Sequence, residues 1–193
     1  MMRVGFLGGT FDPVHNGHLM LAQAALSQLR LSRVYFVLSP QSPFKQHRSI
    51  TSVADRLSML RLALHGKPGM SVGLWEKDRP GPHYTATTLR LLKSRFPRHH
   101  LFFIMGSDTM RSFPRWKNPH EIAELATLVV GLRPGSAVVP FSPRFKDEIV
   151  VLKGRFPDFS STAVREGGKG GHLPGRDVPP AVFRYIQRKG LYQ

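Results

Sequence analysis

Two histidines, His15 and His18, stand three positions apart in the run Gly8-Gly9-Thr10-Phe11-Asp12-Pro13-Val14-His15-Asn16-Gly17-His18. Imidazoles at that spacing share one face of a helix start. Unpaired backbone N–H groups and the positive end of the helix dipole gather at the same place. Such a concentration of donors suits stabilisation of charge on a phosphate during transfer, with no covalent intermediate required. Gly8 and Gly9 are expected to turn the backbone sharply and let it approach a phosphate with no Cβ in the way. Pro13 stiffens the loop, and Gly17 leaves room between the imidazoles. On these residues alone, two other readings stay open. One is a metal pair, although i,i+3 histidines by themselves make a poor zinc set. The other is a chance surface pair, against which the glycines and the proline argue.

A second candidate lies far along the chain, where Phe159-Ser160-Ser161-Thr162-Ala163-Val164-Arg165 combines hydroxyl residues with a guanidinium. Ser and Thr cap helices, and arginine clamps phosphate with two parallel N–H groups. Taken alone, the stretch reads equally well as an ordinary capped turn. The commonest nucleotide fingerprints are absent. There is no G-x-G-x-x-G, and Gly168-Lys169-Gly170 lacks the Ser or Thr that ends a Walker A loop. Dinucleotide binding of the usual kind and P-loop hydrolysis are thereby disfavoured.

The elements that must position these groups show in the apolar pattern. β-Prone runs recur at residues 4–7, 34–38, 72–75, 101–105, 128–132 and 149–152, with helical patterns between most of them. That alternation predicts an α/β fold, an open parallel sheet with helices on both faces. The first helix begins near Asn16 and should bury Leu19, Ala22, Leu26 and Leu29. Further helices are expected at residues 52–64 (Leu57, Leu60 and Leu64 inward), at 85–95, after Pro119 with Ile122 and Leu125, and from residues 179–180 to a stop before Gly190. Residues 39–49 and the glycine-rich 167–177 read as irregular, the latter as mobile. In open α/β sheets ligands bind beyond the carboxyl ends of the strands. The loops at 8–18, 39–48 and 106–116 should therefore share one cleft.

With 193 residues and 41% apolar residues, the chain is expected to form one domain spanning 1–193 with a substantial core. No apolar run approaches the ~20 residues of a membrane span. The start of the chain lacks the layout of a signal peptide, and the absence of cysteine fits a reducing cytoplasm. The formal charge of +16 attracts polyanions. The basic residues are scattered rather than gathered into an arm, so specific nucleic-acid binding is not expected.

The motif at residues 8–18 resembles the G-x-F-x-P-x-H-x-G-H signature of the nucleotidyltransferase superfamily at every signature position. The stretch at 159–165 is similar to that superfamily's I-S-S-T-x-I-R element, with Phe159 and Val164 in place of isoleucines. Further resemblances narrow the family. Ser39-Pro40-Gln41-Ser42-Pro43-Phe44-Lys45 is similar to its S-P-x-x-P-F/H-K loop, and Asp55-Arg56 with Met59-Leu60 to its D-R-x-x-M-L helix. Residues 79–89 resemble R-x-G-x-S-Y-T-x-x-T-L, with His83 where serine is usual. Gly106-Ser107-Asp108 matches G-x-D. The resemblance covers nearly the whole chain and points to the nicotinate-nucleotide adenylyltransferases.

That resemblance implies a Rossmann-like fold and transfer of the adenylyl group of ATP to nicotinate mononucleotide, releasing pyrophosphate and forming deamido-NAD. It implies an ATP site built from Gly8, Gly9, Thr10, Phe11, His15, His18, Gly106, Asp108, Ser160, Ser161, Thr162 and Arg165, with His15, His18 and Arg165 catalytic. Asp108 would meet a ribose hydroxyl or organise the site. The mononucleotide site would draw on Lys45, Tyr84, Thr85, Trp116, Lys117 and Arg133. Trp116 offers a flat face to a pyridine ring, with a core tryptophan as the alternative. Lys45 and Arg133 are phosphate candidates that also read as solvated surface cations. Mg²⁺ is expected to arrive with ATP, with no metal site of protein ligands. The rival functions are adenylyl transfer to nicotinamide mononucleotide or phosphopantetheine, and, from another class, a basic nucleic-acid-binding module.

Overall fold

The computed structural model describes residues 2–40, 50–77, 81–136, 149–171 and 175–193. In chain order the elements are β1 (Arg3–Gly9), α1 (Asn16–Gln28), β2 (Arg33–Leu38), α2 (Val53–Leu64), β3 (Met70–Gly73), α3 (Thr85–Arg95) and β4 (His100–Gly106). After these come α4 (Ser107–Ser112), α5 (Pro119–Leu125), β5 (Thr127–Gly131), β6 (Val150–Leu152), α6 (Ser161–Lys169) and α7 (Pro180–Lys189). The strands form one parallel sheet in the order β3-β2-β1-β4-β5-β6.

The central strands are apolar without interruption because helices cover both faces. Along β4, Phe102 and Ile104 enter the core beneath α1, α2 and α7. Leu101, Phe103 and Met105 enter the opposite core with α3 and α5. Val182 and Ile186, one turn apart on α7, are buried in the first core, each contributing roughly 1.5–3 kcal/mol. The strand order reverses between β1 and β4. Their carboxyl ends, Gly9 and Gly106, therefore flank the crevice where such sheets bind ligands.

Several boundaries differ from the sequence expectation. Gly8 and Gly9 do not turn; both remain in β1, paired with Val37 and Leu38. The left-handed residue of the loop is Phe11, at φ 48°. Its ring is held in the core against Phe36 and, edge to face, against His18. The third strand spans Met70–Gly73 rather than 72–75, because Trp75 lies past the strand with its ring against the bare face of Gly73. The first helix buries Leu19, Leu21, Ala22 and Ala25, whereas Leu26 and Leu29 are only partly covered. Residues 167–169, expected to be irregular, are helical and belong to α6. Two glycines weaken a helix, but Ser160 caps this one by accepting the Ala163 N–H at 3.0 Å. The α4 helix, directly after β4, has no counterpart in the sequence pattern. Ser52, expected as the first residue of a helix, is instead the N-cap of α2, accepting the Asp55 N–H.

Candidate active site

Two cavities adjoin at the sheet's switch point. The first, of about 170 Å³, is lined by Gly8, His15, Gly17, His18, Gly106, Asp108, Thr109, Trp116, Arg133 and Phe159, among others. The second, of about 590 Å³, is lined by Gly8, Gly9, Thr10, Ser39, Glu76, His83, Tyr84, Thr85, Arg115, Trp116 and Lys117. Gly8, Phe103, Thr109 and Trp116 line both. The loops after β1 and β4 thus share one cleft with Ser39, which directly follows β2; residues 41–48 of the expected cleft lie outside the described residues.

The histidine pair forms the floor of the first cavity. His15 is the N-cap of α1, and its backbone N–H donates to His18 Nδ1 at 3.2 Å. That bond fixes His18 as the tautomer with its proton on Nε2, since Nδ1 is occupied as an acceptor. The rings stack with centroids 3.7 Å apart. His15 is only 8% exposed, and its Nδ1 has no hydrogen-bond partner among the described residues. Burial, and then the Arg133 guanidinium, lower its pKa to about 4, so the ring is neutral at pH 7. A Cβ at position 17 would stand 3.1 Å from His15 Nδ1 and 3.3 Å from the Phe159 Cβ. Gly17 therefore lets the α1 terminus lie against the segment leading into α6.

That segment brings the second motif to the first. Ser161 Oγ donates to the Pro13 carbonyl at 2.9 Å, and Arg165 Nη1 to the Asp12 carbonyl at 2.7 Å. Arg165 Nη2 also donates to Thr162 Oγ1 at 3.2 Å. The amides of Ser161 and Thr162, in the first turn of α6, make no hydrogen bond among the described residues. Ser160, Ser161, Thr162 and Arg165 border the loop before α1 without lining the first cavity themselves. Phe11 lines neither cavity and supports His18 from the core, while Thr10 lines the second.

Trp116, half-buried, lies between the cavities. Its indole Nε1–H donates to Ser112 Oγ at 3.2 Å, and its ring meets Phe103 and Phe113. Tyr84 is the N-cap of α3, whose start carries neither a side-chain cap nor an acidic residue. Lys117 places Nζ 4.4 Å from the centre of the Tyr84 ring, a cation–π contact. Arg133 is set apart from this group. It lines the first cavity and not the second, with Nη1 2.8 Å from Asp108 Oδ2 and paired also with Asp158. Its Nη2 donates to the Phe159 carbonyl at 3.2 Å. Lys45 lies outside the described residues.

Sequence reasoning assigned no role to several residues that hold the site. The fully buried Arg56 donates from Nη1 to the carbonyls of Thr10 and Ser39, from Nη2 to Pro40 and from Nε to Thr51, at 2.7–2.9 Å. One guanidinium thereby ties the loop after β1 to the loop after β2. Burial lowers its pKa, an effect the nearby Asp12 opposes. Glu76, buried in the wall of the second cavity, accepts from Thr88 Oγ1 at 2.5 Å; its Oε2 has no partner among the described residues. No motif marked Glu76. Arg56 stood in a recognised motif, but its carbonyl partners are separated from it in sequence.

The parallel sheet, in the order β3-β2-β1-β4-β5-β6, thus carries the paired-histidine loop at its switch point. The cytidylyltransferase-like family model matches residues 6–167. Among curated proteins, the chain is 37% identical to the nicotinate-nucleotide adenylyltransferase of Bacillus subtilis, with full coverage of both chains. It is 39% identical to the probable nicotinate-nucleotide adenylyltransferase of Thermomicrobium roseum, covering all of this chain and 92% of the relative. The chain belongs to the nicotinate-nucleotide adenylyltransferase family. Its fold is also that of Plasmodium falciparum nicotinic acid mononucleotide adenylyltransferase, at TM-score 0.80 and 15% identity, covering 100% of this chain and 98% of that one.

Proposed function

We infer that this chain transfers the adenylyl group of ATP to nicotinate mononucleotide, forming deamido-NAD and pyrophosphate in NAD biosynthesis. The observation that carries the reading is the pair of adjoining cavities. One holds the stacked histidines beside the α6 terminus, the other holds Trp116, Tyr84 and the start of α3, and they meet at Gly8. Two substrates laid end to end in them bring their phosphates together at the switch point. Family membership supports the same assignment.

In this reading a phosphate oxygen of nicotinate mononucleotide attacks the α-phosphorus of ATP in line, and pyrophosphate leaves. The acceptor phosphate already carries a nucleophilic oxygen near neutral pH. Alignment and charge neutralisation therefore suffice, without a general base. His18 Nε2–H and the neutral His15 serve the α/β phosphates. Arg165 and the Ser160–Thr162 turn serve the β/γ end, at the head of α6, where the helix dipole favours anions. Gly106 and Asp108 border the nucleoside. The amides of Thr85 and Lys117 take the ring carboxylate, and Trp116 stacks on the ring. Lys45 is assigned to the mononucleotide phosphate. Arg133 is assigned to the ATP side, because it lines that cavity.

Mg²⁺ bound to the triphosphate would neutralise charge there. Asp108, the one carboxylate lining the first cavity among the described residues, fits an ion held mainly by phosphate and water. We place the reaction in the cytoplasm. Among the described residues no helix is long and apolar enough to cross a membrane.

The test is pyrophosphate release with ATP, Mg²⁺ and each acceptor in turn. Nicotinate mononucleotide is expected to be strongly preferred; equal or better rates with phosphopantetheine would sink the assignment. Titration with DNA at physiological salt addresses the basic charge, and tight, sequence-selective binding would revive the nucleic-acid alternative.

A further inference from the structure

Tyr192 reaches back across the fold to the histidine loop. Its hydroxyl donates to Asp12 Oδ1 at 2.7 Å, from 180 residues away in sequence. Asp12 is buried, and Oδ2 faces the Thr51 N–H at 3.4 Å. The backbone carbonyl of the same residue is the one that accepts Arg165 Nη1. A single residue thus joins Tyr192, the loop presenting His15, and the arginine of the second motif.

Two further features show that the Tyr192 position is tightly specified. Its backbone is left-handed at φ 66°, a conformation an aromatic residue adopts only where its surroundings impose it. On α6, a Cβ at Gly168 would stand 2.4 Å from the Tyr192 carbonyl oxygen, so only glycine admits this packing. The helix that carries Arg165 is therefore shaped to receive Tyr192. Burial, with the Asp12 carboxylate adding to it, raises the pKa of the hydroxyl and keeps it a donor.

We propose that Tyr192 is a positioning residue for ATP: through Asp12 and the Gly168 face of α6, it holds the histidine loop and Arg165 in the relative placement that grips the triphosphate. The proposal rests on the adenylyl-transfer reading. A purely structural latch would lower stability, whereas a positioning residue changes ATP kinetics in a protein that stays folded.

The experiment compares wild type, Tyr192→Phe, Gly168→Ala and, as a matched control, Tyr185→Phe. Tyr185 also donates to an aspartate, Asp55 Oδ1 at 2.8 Å, away from the cavities. Thermal unfolding is recorded for each, and initial rates are measured with ATP and nicotinate mononucleotide varied separately. Tyr192→Phe is expected to melt near Tyr185→Phe while losing about tenfold in kcat/KM for ATP, with the acceptor KM within about twofold of wild type. Gly168→Ala, which keeps the hydroxyl but displaces its backbone, should show the same split; if Tyr192→Phe fails to fold, the split is read from this variant. ATP kinetics matching the control, or equal KM increases for both substrates, would overturn the proposal. Failure of wild type to release pyrophosphate would instead sink the adenylyl-transfer reading, and the proposal with it.

Discussion

The His18 imidazole accepts the His15 backbone N–H at Nδ1, and the two rings stack with centroids 3.7 Å apart. The first contact leaves Nε2–H as the His18 donor. The second holds the His15 and His18 rings face to face at the cavity floor. Replacing His18 with Ala removes the donor proposed to face charge that develops in the transition state. Turnover should fall by about 10² or more at saturating substrates. Unchanged turnover in the folded variant removes His18 from the mechanism.

His15 makes stability depend on pH. Its pKa is depressed from 6.5 to about 4 in the folded protein by burial and by Arg133. Between those values the unfolded chain binds the extra proton. The contribution is therefore complete above about pH 6.5 and is lost as pH falls toward 4. Relative to His15→Gln, wild type should lose about 2 kcal/mol of unfolding free energy between pH 7.5 and 5. Urea denaturation at the two pH values measures this, and parallel losses in both proteins would contradict it.

Trp116 lines both cavities, yet the ring it is proposed to stack on belongs to the acceptor alone. Trp116→Ala should raise the acceptor KM by roughly tenfold, the equivalent of about 1.4 kcal/mol, and leave ATP affinity little changed. Binding titrations with each substrate decide it. A loss confined to ATP would contradict the stacking role.

Lys117 holds its ammonium over Tyr84 at the wall of the second cavity. A cation there favours an acceptor ring bearing a carboxylate over one bearing an amide. Removing the charge in Lys117→Met should cut the preference for nicotinate over nicotinamide mononucleotide by about fivefold, consistent with ~1 kcal/mol at an exposed site. Lys117→Arg should retain most of it. Identical kcat/KM ratios in the two variants would show that the side-chain charge plays no part.

Much of this arrangement was legible in the residues. Apolar runs and proline or glycine boundaries marked the strands and long helices, because a sheet covered on both faces requires uninterrupted apolar strands. The span of α3 agreed at both ends, and the carboxyl-end rule placed the loops after β1 and β4 in one cleft with Ser39. What escaped were features set by distant partners. The glycines of α6 suggest a loop until Tyr192 is seen lying against Gly168. Arg56 reads only as part of a helical motif until carbonyls from three separate segments are found around it. Gly8 and Gly9 mark the end of β1 beside the histidine loop, but the turn belongs to Phe11, whose positive φ no composition rule foretells. Arg133 shows the limit for charge: its ion pairs with Asp108 and Asp158 join α4 to the segment before α6, and only the fold reveals which cavity it lines.

The central claim is that the α-phosphorus of ATP passes directly to the acceptor phosphate. Incubation with ATP labelled at the α-phosphate, Mg²⁺ and nicotinate mononucleotide tests it most directly. The label should appear in a dinucleotide of the mass of deamido-NAD, in step with unlabelled pyrophosphate. Label recovered only as AMP, or unchanged ATP in the presence of folded protein, would contradict the account.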